Sequence, residues 1–141
     1  MTKRKGFTII ELLIVMAVIA VLIGIAIPSF RGMQIEAWKT QAEGDTRVLK
    51  IALESYYKSN GAFPAVSNYQ TALLGASPRV LESALSDPFK PTDPYVYALS
   101  SNNSYYVVYS VGVGGAGVMS VNDTGVATAS AGSPIYATNG Y

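Results

Sequence analysis

Cysteine and histidine are both absent from the 141 residues. Without cysteine there can be no disulfide and no thiolate metal site. Without histidine the usual general base and the commonest nitrogen ligand for metals are missing. Charge is sparse as well: ten Lys and Arg face nine Asp and Glu, 13% of the chain in all. That balance offers no basic patch for nucleic acid. These absences weigh against most enzyme classes, and the length fits about one domain. The poorest stretch in charge runs from Leu12 to Phe30, where there is none.

That gap is the most informative part of the chain. Lys3-Arg4-Lys5-Gly6 leads into Phe7-Thr8-Ile9-Ile10-Glu11, and Glu11 is the one charge in the 24 residues from Phe7 to Phe30. A helix of that length is about 36 Å long, enough for a hydrocarbon core of ~30 Å. The three basic residues before it predict a cytoplasmic N-terminal end and an outward C-terminal body. An ordinary secretory signal has a shorter apolar region and a small-residue cleavage site, and a plain signal anchor leaves Glu11 without a purpose. A carboxylate in a membrane helix costs on the order of 2.5–3.5 kcal/mol at the bilayer centre. No Lys or Arg between Leu12 and Phe30 can offset that cost. The expected partner is therefore another chain, or an amine created by cutting the chain after Gly6, one helical turn from Glu11.

Lys5-Gly-Phe-Thr-Ile-Ile-Glu-Leu-Leu-Ile-Val15, with Pro28 downstream, closely resembles the N-terminus of type IV pilins and type II secretion pseudopilins. The resemblance implies a prepilin peptidase that cuts after Gly6 and methylates Phe7. It places Glu11 at the family's fifth mature residue and makes the apolar helix the polymerisation element. Cutting after Gly6 removes Lys3, Arg4 and Lys5, leaving seven basic against nine acidic side chains.

The helix pattern continues past the apolar run. Gly24 and Pro28 predict a kink or break, read either as a bend at the membrane surface or as a stretch that melts in a filament. Ile35, Trp38, Ala42, Thr46, Leu49, Leu53 and Tyr56 recur at spacings of three and four, one face of an amphipathic helix. Glu43–Arg47 and Glu54–Lys58 are ordered as favourable i,i+4 pairs. Asn60-Gly61 and Pro64 end the helix. The expected organisation is a leader at 1–6, a transmembrane and assembly helix at 7–30, the amphipathic half of the same helix at 31–60, and a head at 61–141.

Within the head, 65–85 reads as a short helix or loop. The prolines at 88, 91 and 94 demand extended or turning backbone. Tyr95–Leu99 and Ser104–Val111 read as an antiparallel hairpin, Val118–Val121 as a third strand, and Pro134–Ala137 as a candidate last strand. The fold class is thus α+β: a long N-terminal helix packed against a small antiparallel sheet, whose apolar face has the 31–59 stripe as its obvious partner. Asn60-Gly-Ala-Phe-Pro64, Asp87-Pro-Phe89 before Pro94-Tyr-Val-Tyr97, and Tyr109-Ser-Val-Gly112 look like the head of the major, G-type pseudopilin. Two departures stand out: a longer segment between Phe89 and Pro94, and Val113-Gly-Gly115 where the family often has an acidic residue followed by glycine.

The G-type resemblance implies calcium bound in the C-terminal loop. Here that loop offers one carboxylate, Asp123, beside Asn122 and Thr124, with Asp87 or Asp93 as sharers in space. Calcium takes six to eight oxygens and draws affinity from carboxylate charge, so an Asn-Asp-Thr-Gly turn held by local side-chain bonds is the competing reading. The glycines at 112–117 lack the lysine of a phosphate loop. Glu82, Asp87 and Asp93 read as solvated loop residues rather than an acid–base pair. Phe7, Phe30, Trp38, Tyr56 and Tyr57 read as packing residues rather than a conduction path. Asn102-Asn-Ser104 and Asn122-Asp-Thr124 match a glycosylation acceptor only at the level of three residues.

The resemblance implies a structural filament subunit of the bacterial inner membrane, not an enzyme. Its expected partners are further copies through the N-terminal helix, the prepilin peptidase, other pseudopilins and the inner-membrane assembly platform, with a cytoplasmic ATPase on other chains. A secretion pseudopilin is the first reading. A type IV pilin serving adhesion, motility or DNA uptake is the second, a minor pseudopilin a variant of it. A membrane-anchored periplasmic enzyme or binding domain would need a convergent polar cluster, which the head sequence lacks.

Overall fold

A computed structural model describes residues 6–141. The described residues fall into two compact units, one ending at Glu36 and the other running from Ala37 to Tyr141. A single helix, α1 (Ile9–Asn60), contributes to both.

From Leu12 to Phe30, within the first unit, α1 carries no charge and is apolar on all sides, with Arg31, Gln34 and Glu36 following. Its large side chains are exposed, among them Leu12, Leu13, Val21, Leu22, Ile25 and Phe30. A helix with no polar face needs an apolar surrounding, and this one is long and apolar enough to cross a membrane. No break occurs at Gly24 or Pro28: the helix is continuous through both. Proline removes one N–H from the ladder. Beside it the Ser29 hydroxyl donates to the Ile25 carbonyl at 3.4 Å, one residue on from the Gly24 carbonyl that loses its ladder partner.

In the second unit the amphipathic pattern takes effect. Ala42, Thr46, Leu49, Ala52 and Leu53 are buried on one face of α1. The buried Thr46 hydroxyl is satisfied one turn back, donating to the Ala42 carbonyl at 2.8 Å. The helix ends where Gly61 takes φ 73° and donates to the Tyr57 carbonyl at 2.7 Å, a left-handed cap that glycine adopts without penalty. Neither Glu43–Arg47 nor Glu54–Lys58 forms an ion pair among the described residues. Exposed pairs gain little against the entropy of holding two long side chains, and Glu54 instead accepts a bond from Tyr106.

After a single 3₁₀ turn, helix α2 (Tyr69–Leu74) lays Tyr69, Gln70 and Leu73 into the core. The segment from 79 to 85 forms no helix. The proline-rich stretch is extended: β1 (Ser86–Asp87) pairs with β2 (Lys90–Pro94). Strands β3 (Val96–Leu99), β4 (Tyr106–Ser110) and β7 (Ile135–Thr138) form an antiparallel sheet in the order β3-β4-β7. Strand β5 (Val118–Val121) pairs with β6 (Ala127–Ala131) as a separate hairpin.

All five residues of β4 are buried. Tyr106 and Val108 join Leu49, Leu53, Tyr69 and Tyr97 in one cluster. Val107 and Tyr109 join Met119 and Val121 in another. The sheet therefore has two partners, α1 on one face and the β5–β6 hairpin on the other, where the sequence had suggested one. The run Tyr-Val-Val-Tyr has no polar alternation, the pattern of a strand covered on both faces.

Candidate assembly segment and head sites

Thr8 organises the start of α1. Its hydroxyl and its N–H donate to Glu11 Oε2 at 2.8 and 2.9 Å, and the Glu11 N–H donates back to the Thr8 hydroxyl at 3.3 Å. This is a reciprocal capping box: Thr8 precedes the first helical residue and Glu11 follows three positions later. The expected partner for Glu11 is another chain or the amine freed by cutting after Gly6; Thr8 is a nearer one, and Thr-x-x-Glu before an apolar run is the signal for such a box. The box uses Oε2. Gly6 and Phe7 precede the helix, and Phe7 is 85% exposed, so both the Gly6–Phe7 bond and the Phe7 ring are accessible in the isolated chain. The leader residues Lys3, Arg4 and Lys5 lie outside the described residues.

In the head, Asp87 departs from expectation. It is 1% exposed rather than solvated. Its Oδ1 accepts from the Ser110 hydroxyl at 2.7 Å and the Phe89 N–H at 2.9 Å, and its Oδ2 accepts from the Val111 N–H at 2.7 Å. The cause is the turn at Pro88-Phe89, which folds β2 back on β1 and aims the carboxylate at the end of β4. A buried carboxylate is tolerated when several donors replace water. Asp93 stays exposed and pairs with Lys90; that contact holds the Asp93 carboxyl below, and the Lys90 ammonium above, their usual ranges. Asp87 and Asp93 line one cavity of about 420 Å³ with Tyr95 and Tyr97.

Asp123 is not among those lining residues. Its Oδ1 accepts from the Asn102 N–H at 2.9 Å, and its carbonyl accepts from Asn102 Nδ2 at 3.3 Å. It thereby ties the β5–β6 turn to the β3–β4 turn. Asn122 Oδ1 accepts from the Thr124 hydroxyl and from the N–H groups of Thr124 and Val126, which is how an Asx-type turn forms. Among the described residues no group of three or more Asp and Glu gathers around a point.

Of the aromatic residues on the helix and before it, Trp38, Tyr56 and Tyr57 pack against neighbouring side chains, whereas Phe7 and Phe30 are exposed. Trp38 meets Phe89 edge-on at 5.8 Å, and Tyr57 packs on Phe63 at 4.5 Å. Two buried tyrosines also reach α1 by hydrogen bonds. Tyr95 donates to Asp45 Oδ2 at 2.8 Å and Tyr106 to Glu54 Oε1 at 3.0 Å. Nothing in the spacing of these residues announces such contacts, which join positions 50 or more apart in sequence.

Residues 1–27 match the family model described as the prokaryotic N-terminal methylation motif. The chain is 26% identical to type II secretion system core protein G of Pseudomonas aeruginosa over 135 residues, 88% of this chain and 94% of that protein. It is 31% identical to core protein G of Escherichia coli over 74 residues, about half of each chain. It is 33% identical to the type IV major pilin protein PilA of Myxococcus xanthus over 66 residues, 47% of this chain and 30% of that one. No solved structure matches. The methylation motif thus lies at the start of an exposed apolar helix, and the similarity to core protein G extends from there through the head.

Proposed function

We propose that this protein is a structural subunit of a type IV-like filament, the major pseudopilin of a type II secretion system. The observation that carries the reading is the junction itself: an accessible Gly6–Phe7 bond, then a capped helix start at Thr8–Glu11, then an apolar span with no polar face. Such a span serves equally to wait in a bilayer and to pack among like helices, because apolar helices have little preference between lipid and protein. Rare polar contacts then set the register. Glu11 supplies one, with Oε2 committed to Thr8 and the carboxylate charge left to meet the Phe7 amine of a neighbouring subunit. Pro28 lies in the same packed span.

The chain enters the inner membrane with its N-terminus in the cytoplasm and its head in the periplasm. A prepilin peptidase cuts after Gly6 and methylates Phe7. Assembly-platform proteins and other pseudopilins then receive the subunit, and it performs no catalysis. Calcium stabilises the head at most modestly, since Asp123 is the lone carboxylate of its loop. Sequencing the mature N-terminus tests the reading: it should begin at methylated Phe7. A start at Met1, or one after Pro28, would overturn it.

The similarity to PilA favours a second reading, a subunit of a surface pilus. Filament length on cells separates the two. Fibres reaching far beyond the surface speak for a pilus, and short periplasmic ones for secretion.

A further inference from the structure

The outer edge of β7 faces a groove of about 410 Å³ lined by Glu43, Thr46 and Arg47 of α1 and by Pro134, Ile135 and Tyr136. Alternation along the sheet settles which backbone groups face that groove. The Ser100 N–H donates to the Tyr105 carbonyl, so odd-numbered residues of β4 bond toward β3 and even-numbered ones toward β7. The register pairs Val108 with Ala137 and Ser110 with Ile135, without a bulge. Ile135 and Ala137 therefore spend their backbone groups on β4. Tyr136 turns its N–H and carbonyl outward, and Thr138 its N–H, and among the described residues no other strand continues the sheet on that side.

This edge is undefended. Among the other edge strands, β2 carries Lys90, Pro91, Asp93 and Pro94, the charges and prolines that discourage strand addition, whereas the exposed β6 carries neither. Strand β7 has no charge and no proline. Its one charged neighbourhood is the helix side of the groove. There Glu43 and Arg47 are exposed and form no ion pair with each other. One turn apart on the helix, they are separated by a rise of about 6 Å. Residues two apart on an extended strand are separated by about 6.6–6.8 Å, a close match.

We propose that this groove takes an extended segment of a different polypeptide, added as a strand to β7, with a basic and an acidic side chain two residues apart facing Glu43 and Arg47. Main-chain bonds to Tyr136 and Thr138 supply the affinity, and the two charges supply selectivity and direction. A second copy of this chain is the poorer occupant. Outside α1 the sequence holds no oppositely charged pair two residues apart.

The test uses the full chain in detergent micelles and the peptide acetyl-Thr-Val-Lys-Val-Glu-Val-Thr-amide, with a control peptide in which Lys and Glu are both Ser. Amide hydrogen exchange at Tyr136 and Thr138 should slow about tenfold in millimolar charged peptide, while exchange at Ala137, already bonded to β4, stays unchanged. The control should protect less. The double variant Glu43→Gln, Arg47→Gln, confined to the helix surface, should erase the difference between the peptides. No slowing with either peptide overturns the site. Equal slowing with both overturns the role of the charges. Protection that appears without peptide and grows with protein concentration overturns the choice of a foreign partner in favour of a second copy.

Discussion

The Tyr95 hydroxyl donates to Asp45 Oδ2 across 2.8 Å, joining the start of the sheet to the middle of α1. With the Tyr106 bond to Glu54, it fixes the sheet at two points along the helix, on either side of the buried Leu49. Each bond goes to a carboxylate, so each is stronger than a neutral pair. Tyr95→Phe keeps the ring in the core and removes the bond. The expected loss is about 1–2 kcal/mol, read as a lower urea midpoint with an unchanged slope. An unchanged midpoint would mean that water replaces the tyrosine without cost.

Alkali should unfold the head. Burial raises the phenol of Tyr69, pushing it up to about 12. Burial also raises Tyr95, with the Asp45 bond adding to it, and Tyr106, with the Glu54 charge adding to it; Tyr97 is raised by burial and by nearby Tyr69. These folded-state values lie above the unfolded value of about 10. The folded head therefore holds its protons more tightly. Their contribution is fully present below about pH 10 and is lost as pH climbs from there toward the folded values. Tyrosinate absorbance should rise together with loss of near-ultraviolet circular dichroism. Full ionisation of all tyrosines with the fold intact would contradict the burial argument.

Glu11→Leu should separate processing from polymerisation. The basic leader, Gly6 and the apolar run persist, so insertion and cleavage should continue. The register contact is gone, so filaments should be lost; Glu11→Gln should fall between or fail equally, keeping shape without charge. Thr8→Val removes the hydroxyl that donates to Oε2 and accepts from the Glu11 N–H, while the backbone N–H of residue 8 keeps its bond to Oε2; it should weaken the helix start by about 1 kcal/mol and reduce filaments less than Glu11→Leu. Electron microscopy alongside mass measurement of the leader decides it. Normal filaments from correctly cleaved Glu11→Leu protein would refute the pairing.

Asp87→Asn should be among the most damaging isosteric changes in the head. The carboxylate accepts from three donors. An amide presents N–H groups to one side of that set and leaves a buried donor facing another. The expected cost is about 1–3 kcal/mol, measured by thermal or urea unfolding of the head signal. Equal stability of the variant would show that water enters beside the Pro88 turn.

Calcium should add little. Full occupancy at about 100 times Kd would add about 2.7 kcal/mol, and one carboxylate in the loop argues for less. Asp123→Ala removes the bond from Asn102 and should lower stability by about 0.5–1.5 kcal/mol with or without calcium. A melting shift above about 10 °C in millimolar calcium, abolished by Asp123→Ala, would reveal a site stronger than this loop suggests.

Some of this molecule is written locally, and there the sequence by itself was decisive. The long helix follows from an apolar run that passes into a three-and-four stripe, and its end from Asn60-Gly61, because helix periodicity and caps depend on neighbours a turn away. The β3–β4 hairpin follows from two β-prone runs around Ser100–Asn103. The methylation junction and Glu11 are legible for the same reason: a basic leader, a Gly-Phe pair and one charge in an apolar span occupy consecutive positions. The Thr8–Glu11 box is equally local, written as Thr-x-x-Glu ahead of the apolar run.

The tertiary structure decided the rest. Strand β6, Ala-Thr-Ala-Ser-Ala, has too little pattern to declare itself; it becomes a strand because β5 lies beside it. Asp87 looks like any aspartate before a proline, and its burial depends on Ser110 and Val111, more than twenty positions away. The second face of β4 needed the β5–β6 hairpin to cover it, and the open edge of β7 exists because no further strand arrives there. Contacts of that kind join residues whose spacing in the chain carries no period, so only the folded arrangement could bring them together.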